Sequence, residues 1–365
     1  MNGDQVTGNK GEWSEIYVFF KLLADGVLHA ANSELQKIDE IYYPIIKIIR
    51  KEISGNWEYY KNSVIRVVNG ETGETKVELP IEAFEKNATR LLEEIRGSSA
   101  RAFAVPSIEE FMHSIEVRSI KESPQEKRDI TIMVHDLRTG IDPTLGFSIK
   151  SQLGSPSTLL NASRSTNFIY KIENIFINQK FMEEINSIDT RSKIRDRLNR
   201  IEDIGGILKF IGTENETFEL NLKLIDSRLA EIMSEVLLDF FKGVGSKIDD
   251  LIKKLKERNP CDFNLEHSHP FYEYKIKSLL SDIALGMVPT VVWDGLIDAT
   301  GGIIIVREDG EVLCYHIYNK NEFQDYLIRN TKLETSSSTR HNYGMIYEKN
   351  SEYFFKLNLQ IRFIK

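Results

Sequence analysis

Residues 127–153 read KRDITIMVHDLRTGIDPTLGFSIKSQL, and the pairing of their two halves decides the fold. Apolar residues alternate with polar ones over 129–136 and again over 144–152. A period of two is the pattern of a strand with one buried face. The intervening LRTGIDPT contains Gly140 and Pro143, both turn formers. Two antiparallel arms follow. Placing residue 129 opposite residue 148 puts the midpoint at Arg138-Thr139, inside the loop. Asp129 then faces Ser148 and Lys150, which share one side of the second arm, while Phe147 and Ile149 point to the other. A carboxylate, a hydroxyl and an amine converge on one face. The same residues would also suit the wet side of an edge hairpin, and the stretch alone leaves both readings open.

The convergence suits metal-assisted cleavage of a phosphodiester. A carboxylate holds Mg²⁺, which takes oxygen ligands in an octahedron. The ion polarises the phosphate and acidifies a bound water. A lysine orients or deprotonates the water and meets the charge that develops.

The pattern resembles the signature of the PD-(D/E)xK nucleases, in which an Asp opens one strand and (Asp/Glu)-x-Lys lies on the next. Asp129 and Ser148-Ile149-Lys150 occupy the matching positions. Ser148 stands where that superfamily usually has an acid, so the resemblance implies a carboxylate from another element. NKGEWSEIY, residues 9–17, has the Gly-x-x-x-Glu spacing of related nucleases at Gly11 and Glu15. Glu12, roughly 300° around the same helix, is the neighbouring candidate, and Glu116 in HSIEVRSI is the third. Acids in a first helical turn also favour the helix dipole without any catalytic part. The resemblance implies Mg²⁺ held by Asp129, Glu15 and the Ile149 carbonyl. Lys150 would act on the nucleophile, Ser148 behind the ligands, and Gln152 near the water or phosphate.

Outward from the hairpin, residues 12–24 read as a helix, with Trp13, Ile16, Phe19, Phe20 and Leu23 at helical steps and Gly26 as its stop. Residues 42–52 and 57–80 are β-rich, with NGETGE at 69–74 as a hairpin turn. Helices are expected at 81–96 and 106–114. Residues 118–127, with Pro124, read as a surface loop. Residues 178–258 are mostly helical by pattern, and 301–319 form a hairpin turning at Asp309-Gly310. A short helix follows at 320–330, then two β-runs to the end. The expected fold is mixed α/β: a PD-(D/E)xK core with a central mixed sheet flanked by helices. We divide it into a catalytic core (1–175), a helical region (176–260) and a C-terminal β-hairpin and DNA-contact region packed on the core (261–365).

Composition narrows the class. The chain of 365 residues is 41% hydrophobic but has no apolar run long enough for a transmembrane helix. MNGDQVTGNKGEW lacks the apolar region of a secretory signal. Two well-separated cysteines, Cys261 and Cys314, match no metal spacing, and a reduced cytoplasmic setting is the expectation. His267 and His269 read as a turn before Pro270. No phosphate-binding G-x-x-x-x-G-K-[ST] loop is present, which disfavours an NTP-driven enzyme. The net charge of −8 speaks against non-specific nucleic-acid binding and leaves specific binding open.

Four blocks carry a closer resemblance: GNKGEWSEIYVFFKLLADG (8–26), GFSIKSQLG (146–154), TLLNASRSTNFIY (158–170) and RHNYGMIYEKNSEYFFKLNLQIRF (340–363). Together they resemble type II restriction endonucleases of the HpaII kind. That implies Mg²⁺-dependent cleavage of double-stranded DNA at a short palindrome, with CCGG as the candidate site, and a cognate DNA methyltransferase as genetic partner. A palindrome read symmetrically favours a twofold homodimer. A reader of DNA places hydrogen-bonding side chains against base edges and phosphates. Asn161, Ser163, Arg164, Thr166 and Asn167 follow the catalytic strand and fit, as do Arg340 and His341. Rival readings are a nuclease fold that binds without cutting, a junction or mismatch nuclease, and an unrelated α/β interaction protein.

Overall fold

Asn9 starts the first helix. Its carboxamide accepts the N–H groups of Gly11 and Glu12, and the Glu12 carboxylate returns to the Asn9 N–H at 2.7 Å, closing a capping box. Helix α1 then runs Lys10–Asp25 and ends at Gly26, whose φ of 71° is the left-handed conformation glycine adopts freely. In this computed structural model, residues 6–121 and 128–364 are described. Pro124 and most of the expected surface loop lie outside them.

The chain continues through β1 (Val27–Ala31), β2 (Lys37–Glu52), β3 (Gly55–Lys61), β4 (Val64–Asn69), β5 (Thr75–Pro80), α2 (Ile81–Gly97), α3 (Pro106–Ser114), β6 (Ile130–Val134) and β7 (Thr144–Ser151). Strands β6 and β7 pair antiparallel with Ile130 opposite Phe147 and Thr131 opposite Gly146. That register sets residue 129 against residue 148, as the loop midpoint requires. Both strands are shorter than the alternation implied. Asp129 precedes β6, and His135 and Asp136 already belong to the turn. The Asp136 carboxylate accepts the Arg138 N–H (2.9 Å) and the Thr139 hydroxyl (2.7 Å) there.

Next come β8 (Thr158–Leu160), a 3₁₀ turn (Arg164–Thr166), β9 (Asn167–Glu173), α4 (Gln179–Asn186), α5 (Lys193–Asp203), β10 (Ile207–Thr213), α6 (Glu216–Ile225), α7 (Leu229–Lys242), α8 (Ile248–Arg258) and α9 (Phe271–Leu285). The chain ends with β11 (Gly302–Val306), β12 (Val312–His316), α10 (Lys320–Arg329), β13 (Thr331–Leu333), α11 (Ser338–His341), β14 (Ile346–Lys349), β15 (Glu352–Asn358) and β16 (Ile361–Phe363). Strand β10 interrupts the stretch expected to be helical. It borders only β9; Leu208 and Phe210 are half-buried against the core, but Ile207 and Ile211 stay exposed beside Lys209, so no apolar–polar alternation marks it in the sequence. Residues 343–364 hold three strands, β14, β15 and β16, where two were expected, and β13 precedes them. Strands β10-β9-β15-β14 form one small sheet and β13-β16-β8 another.

The main sheet is mixed, in the order β1-β12-β11-β7-β6-β2-β3-β4-β5. Strand β2 pairs with β1 through its first half and with β6 through its second, so six strands close into a barrel. β7 lies between β6 and a parallel β11. The hairpin is therefore interior to the sheet, which removes the edge-hairpin reading. The hairpin of β11 and β12 is apolar on both faces because both are covered. Ile304, Val306, Val312 and Cys314 join the core built around α1, whereas Ile303, Ile305, Leu313 and Tyr315 join the core built around α7 and α9. The mixed α/β class with a central mixed sheet and flanking helices is thus observed, with barrel closure as an addition.

Candidate active site

The sheet register brings the hairpin's polar groups into one connected network. The Lys150 ammonium donates to the Ser148 hydroxyl at 2.8 Å, and that hydroxyl donates to the Asp129 carboxylate at 3.0 Å. The same carboxylate oxygen accepts the Ile149 N–H at 2.6 Å. Charge-assisted bonds of this kind are the short, strong ones. Ser148 is buried, whereas Asp129 and Lys150 are partly open to solvent. Where an acid would compete with Asp129 for cations, a serine instead ties the lysine to it. Within a strand, a residue's N–H and C=O face the same edge. The Ile149 carbonyl therefore faces the edge where β6 has ended. Gln152 follows on the face of Lys150, and the two line the same small pocket.

Helix α1 packs against this hairpin from the other side. Its Ser14 hydroxyl bonds the Ser151 hydroxyl at 2.7 Å. The next residue, Glu15, comes close enough to Asp129 for their charges to couple. Burial first, and Asp129 second, push the Glu15 carboxyl up to about 8. Glu12 is engaged otherwise: beyond its capping role it pairs with Lys121 at 2.9 Å. Burial would raise its pKa, but the Asn9 N–H and Lys121 hold it below the ordinary value. Glu116 sits in the turn after α3 with φ of 64° and pairs with Arg118 at 3.1 Å. Of the three candidate acids, the fold couples Glu15 to Asp129.

Three neighbours escaped the sequence reading. Buried Arg50 pairs with Glu52 at 2.6 Å and donates to the carbonyls of Ser119 and Ile120, which precede Lys121. Lys121 and Arg50 both pull the Glu15 pKa down, against its burial. The signal for Arg50 and Glu52 was present: two opposite charges two apart follow Ile46 and Ile48 on one side of the strand. Lys121 carried none.

Among the described residues, no three His, Cys, Asp or Glu side chains converge as a metal site. Two carboxylates and a peptide carbonyl do fit Mg²⁺, which keeps water or substrate oxygens in its remaining positions. The crowding of Glu15 against Asp129 is what a divalent cation would relieve.

The two segments expected from the sequence to contact DNA meet. Strand β9 pairs with β15, placing Asn167 opposite Asn358. The Asn358 amide donates to the Ser163 carbonyl (2.7 Å), the Thr166 hydroxyl (3.1 Å) and the Asn167 carboxamide oxygen (2.8 Å). Asn167 in turn donates to the His341 carbonyl (2.8 Å) and to Glu214 (2.7 Å). Thr166 and Asn167 are fully buried, so their polar groups are engaged inside the protein and hold the loops together. Asn161, Arg164 and Arg340 are exposed, and Ser163 and His341 partly so. Burial, Arg340 and Arg164 together depress the His341 pKa, which sets the two arginines near one imidazole. Neither arginine has an acidic partner among the described residues.

The barrel wall thus presents an acid, a hydroxyl and a lysine, and the paired loops present two arginines without acidic partners among the described residues. Comparison with known proteins supplies the family. The HpaII restriction endonuclease family profile matches residues 9–363. A type II restriction enzyme, HpaII of Haemophilus parainfluenzae, is 48% identical over 363 residues, covering 98% of this chain and 99% of the relative. The chain belongs to the HpaII restriction endonuclease family, and its activity class is that of a type II site-specific deoxyribonuclease. No solved structure matches. Among the described residues, no helix is long and apolar enough to cross a membrane.

Proposed function

We propose that this protein cuts both strands of a short DNA palindrome, with CCGG the first site to test, by Mg²⁺-dependent hydrolysis. The observation that carries the reading is the Asp129–Ser148–Lys150 network with Glu15 at its flank. Asp129, Glu15 and the Ile149 carbonyl would hold the ion, which when bound supplies charge neutralisation at the phosphate. Lys150 orients the attacking water and stabilises the developing charge. Ser148 sets the position of the lysine against Asp129, and Gln152 contacts the water or phosphate. The part of the barrel formed by β6, β7, β11 and α1 is our candidate for the PD-(D/E)xK core. Residues 1–175 would then be the catalytic part, 176–260 a helical support, and 261–365 a mixed segment bringing Arg340 and His341 to the DNA. Asn161, Ser163, Arg164, Arg340 and His341 would touch DNA, while Thr166 and Asn167 shape the loops beneath. We further propose a cytoplasmic enzyme, a twofold dimer on the palindrome and a methyltransferase that protects the host site.

Digestion of methylation-free phage DNA, with Mg²⁺ and with EDTA, tests this directly. Discrete bands in Mg²⁺ alone are expected, and sequencing their ends would give the site. Intact DNA at every enzyme amount would overturn the cutting reading in favour of binding without cleavage or a branched substrate.

A further inference from the structure

A cleft of about 1190 Å³ opens where β7 ends. One end is formed by Ser151, the residue after Lys150, and another part by Asn161, three residues before Arg164. It therefore joins the strand that carries the lysine to the loop that carries the first exposed arginine. Its lining includes three cations, Lys10, Arg101 and Arg362, and no carboxylate. In a chain with 55 acidic and 47 basic residues, an acid-free basic lining runs against the background.

Two of the three charges, Lys10 and Arg101, have no acidic partner among the described residues. The Lys10 ammonium lies 3.5 Å from a neutral acceptor, the Arg96 carbonyl. Arg101 is exposed and has no acidic partner among the described residues. Arg362 Nε lies 3.0 Å from Glu334, yet its N–H is not aimed at a hydrogen-bond partner. Gly154 faces Lys10 so closely that an added Cβ would come within 3.1 Å of the lysine Cβ, and the glycine leaves room for the Lys10 stem along the wall.

We infer that this cleft carries the sugar–phosphate backbone of the DNA strand between the cleavage centre and the reading loops, with Lys10, Arg101 and Arg362 as its phosphate contacts. The inference rests on the proposed action on duplex DNA and extends it to the path of the strand. Such contacts bind without reading sequence, and each releases a counterion. They position the scissile phosphate and leave the choice of site to the base-reading side chains.

The test measures binding of a short duplex lacking the cleavage sequence, in Ca²⁺, over a series of salt concentrations. Arg101→Ala and Lys10→Ala are each expected to reduce the slope of log affinity against log salt by about 0.9. They should also raise KM for cleavage. Arg101→Lys is expected to restore the slope, and Arg90→Ala on the exposed side of α2 to leave it at the wild-type value. Wild-type binding with the same slope in Arg101→Ala and Lys10→Ala overturns the inference. So does a change in which sites are cut without a change in slope. Wild-type protein that neither binds nor cuts duplex DNA overturns the underlying reading instead, which separates the two failures.

Discussion

The acid–hydroxyl–amine network and the asparagine-linked loops are both polar clusters, but they are assembled over very different lengths of chain. Ser148 is 19 residues from Asp129. Asn358 is 191 residues from Asn167, and His341 is 174 from it. The first cluster needs one hairpin in one register. The second needs β9 and β15, which lie far apart along the chain, to pair with Asn167 opposite Asn358. The first has its charges partly open to solvent for chemistry, and the second has its amides buried for shape. Polar groups near a surface can act on a substrate, whereas buried ones must first satisfy one another.

The contrast breaks most sharply at Lys150. Lys150→Ala should lower single-turnover cleavage by about 10³-fold while thermal stability and DNA binding in Ca²⁺ stay near wild type. A variant that unfolds would make the lysine structural and erase the distinction. Asn358→Ala should do the opposite. It strands the Asn167 carboxamide oxygen in the interior and removes the acceptor of the Ser336 hydroxyl, and should cost about 2 kcal/mol in urea unfolding. Loss of cleavage without loss of stability there would sink the idea of a supporting node.

Two smaller effects sharpen the picture. Glu12→Ala removes one side of the capping box and the Lys121 ion pair. A stability loss of about 1 kcal/mol is expected, with cleavage retained. Loss of cleavage matching that of Glu15→Gln would move the metal-holding part to Glu12. Arg164→Ala removes a cation that the other loop brings near His341, so the imidazole pKa should rise toward its ordinary value in an NMR titration. An unmoved pKa would mean that the two loops do not meet in solution.

The hairpin was readable because strand alternation converts spacing directly into facing. Spacing alone puts Asp129, Ser148 and Lys150 on one side, and the register follows from the loop's midpoint. Glu15 was readable as a helical acid near Gly11, but not its preference over Glu12. That depended on which side of α1 meets β7 and on what else each acid bonds. The capping box and Lys121 engage Glu12, and burial brings Glu15 to Asp129. Strand β10 was not readable, because isoleucines on its exposed face break the alternation that half-buried Leu208 and Phe210 would otherwise show.

The chain's own pattern determined the mixed α/β class, the hairpin and its register, and the family through four motif blocks. These depend on local periodicity and on short-range spacing, which a linear reading preserves. Only the tertiary structure decided that the sheet closes through β2, that the hairpin of β11 and β12 is a wall shared by two cores, and that Arg164 and Arg340 both come near His341. Those outcomes depend on long-range pairing, in which each strand has many partners of equal local merit. Burial on both faces and the satisfaction of buried amides select one of them.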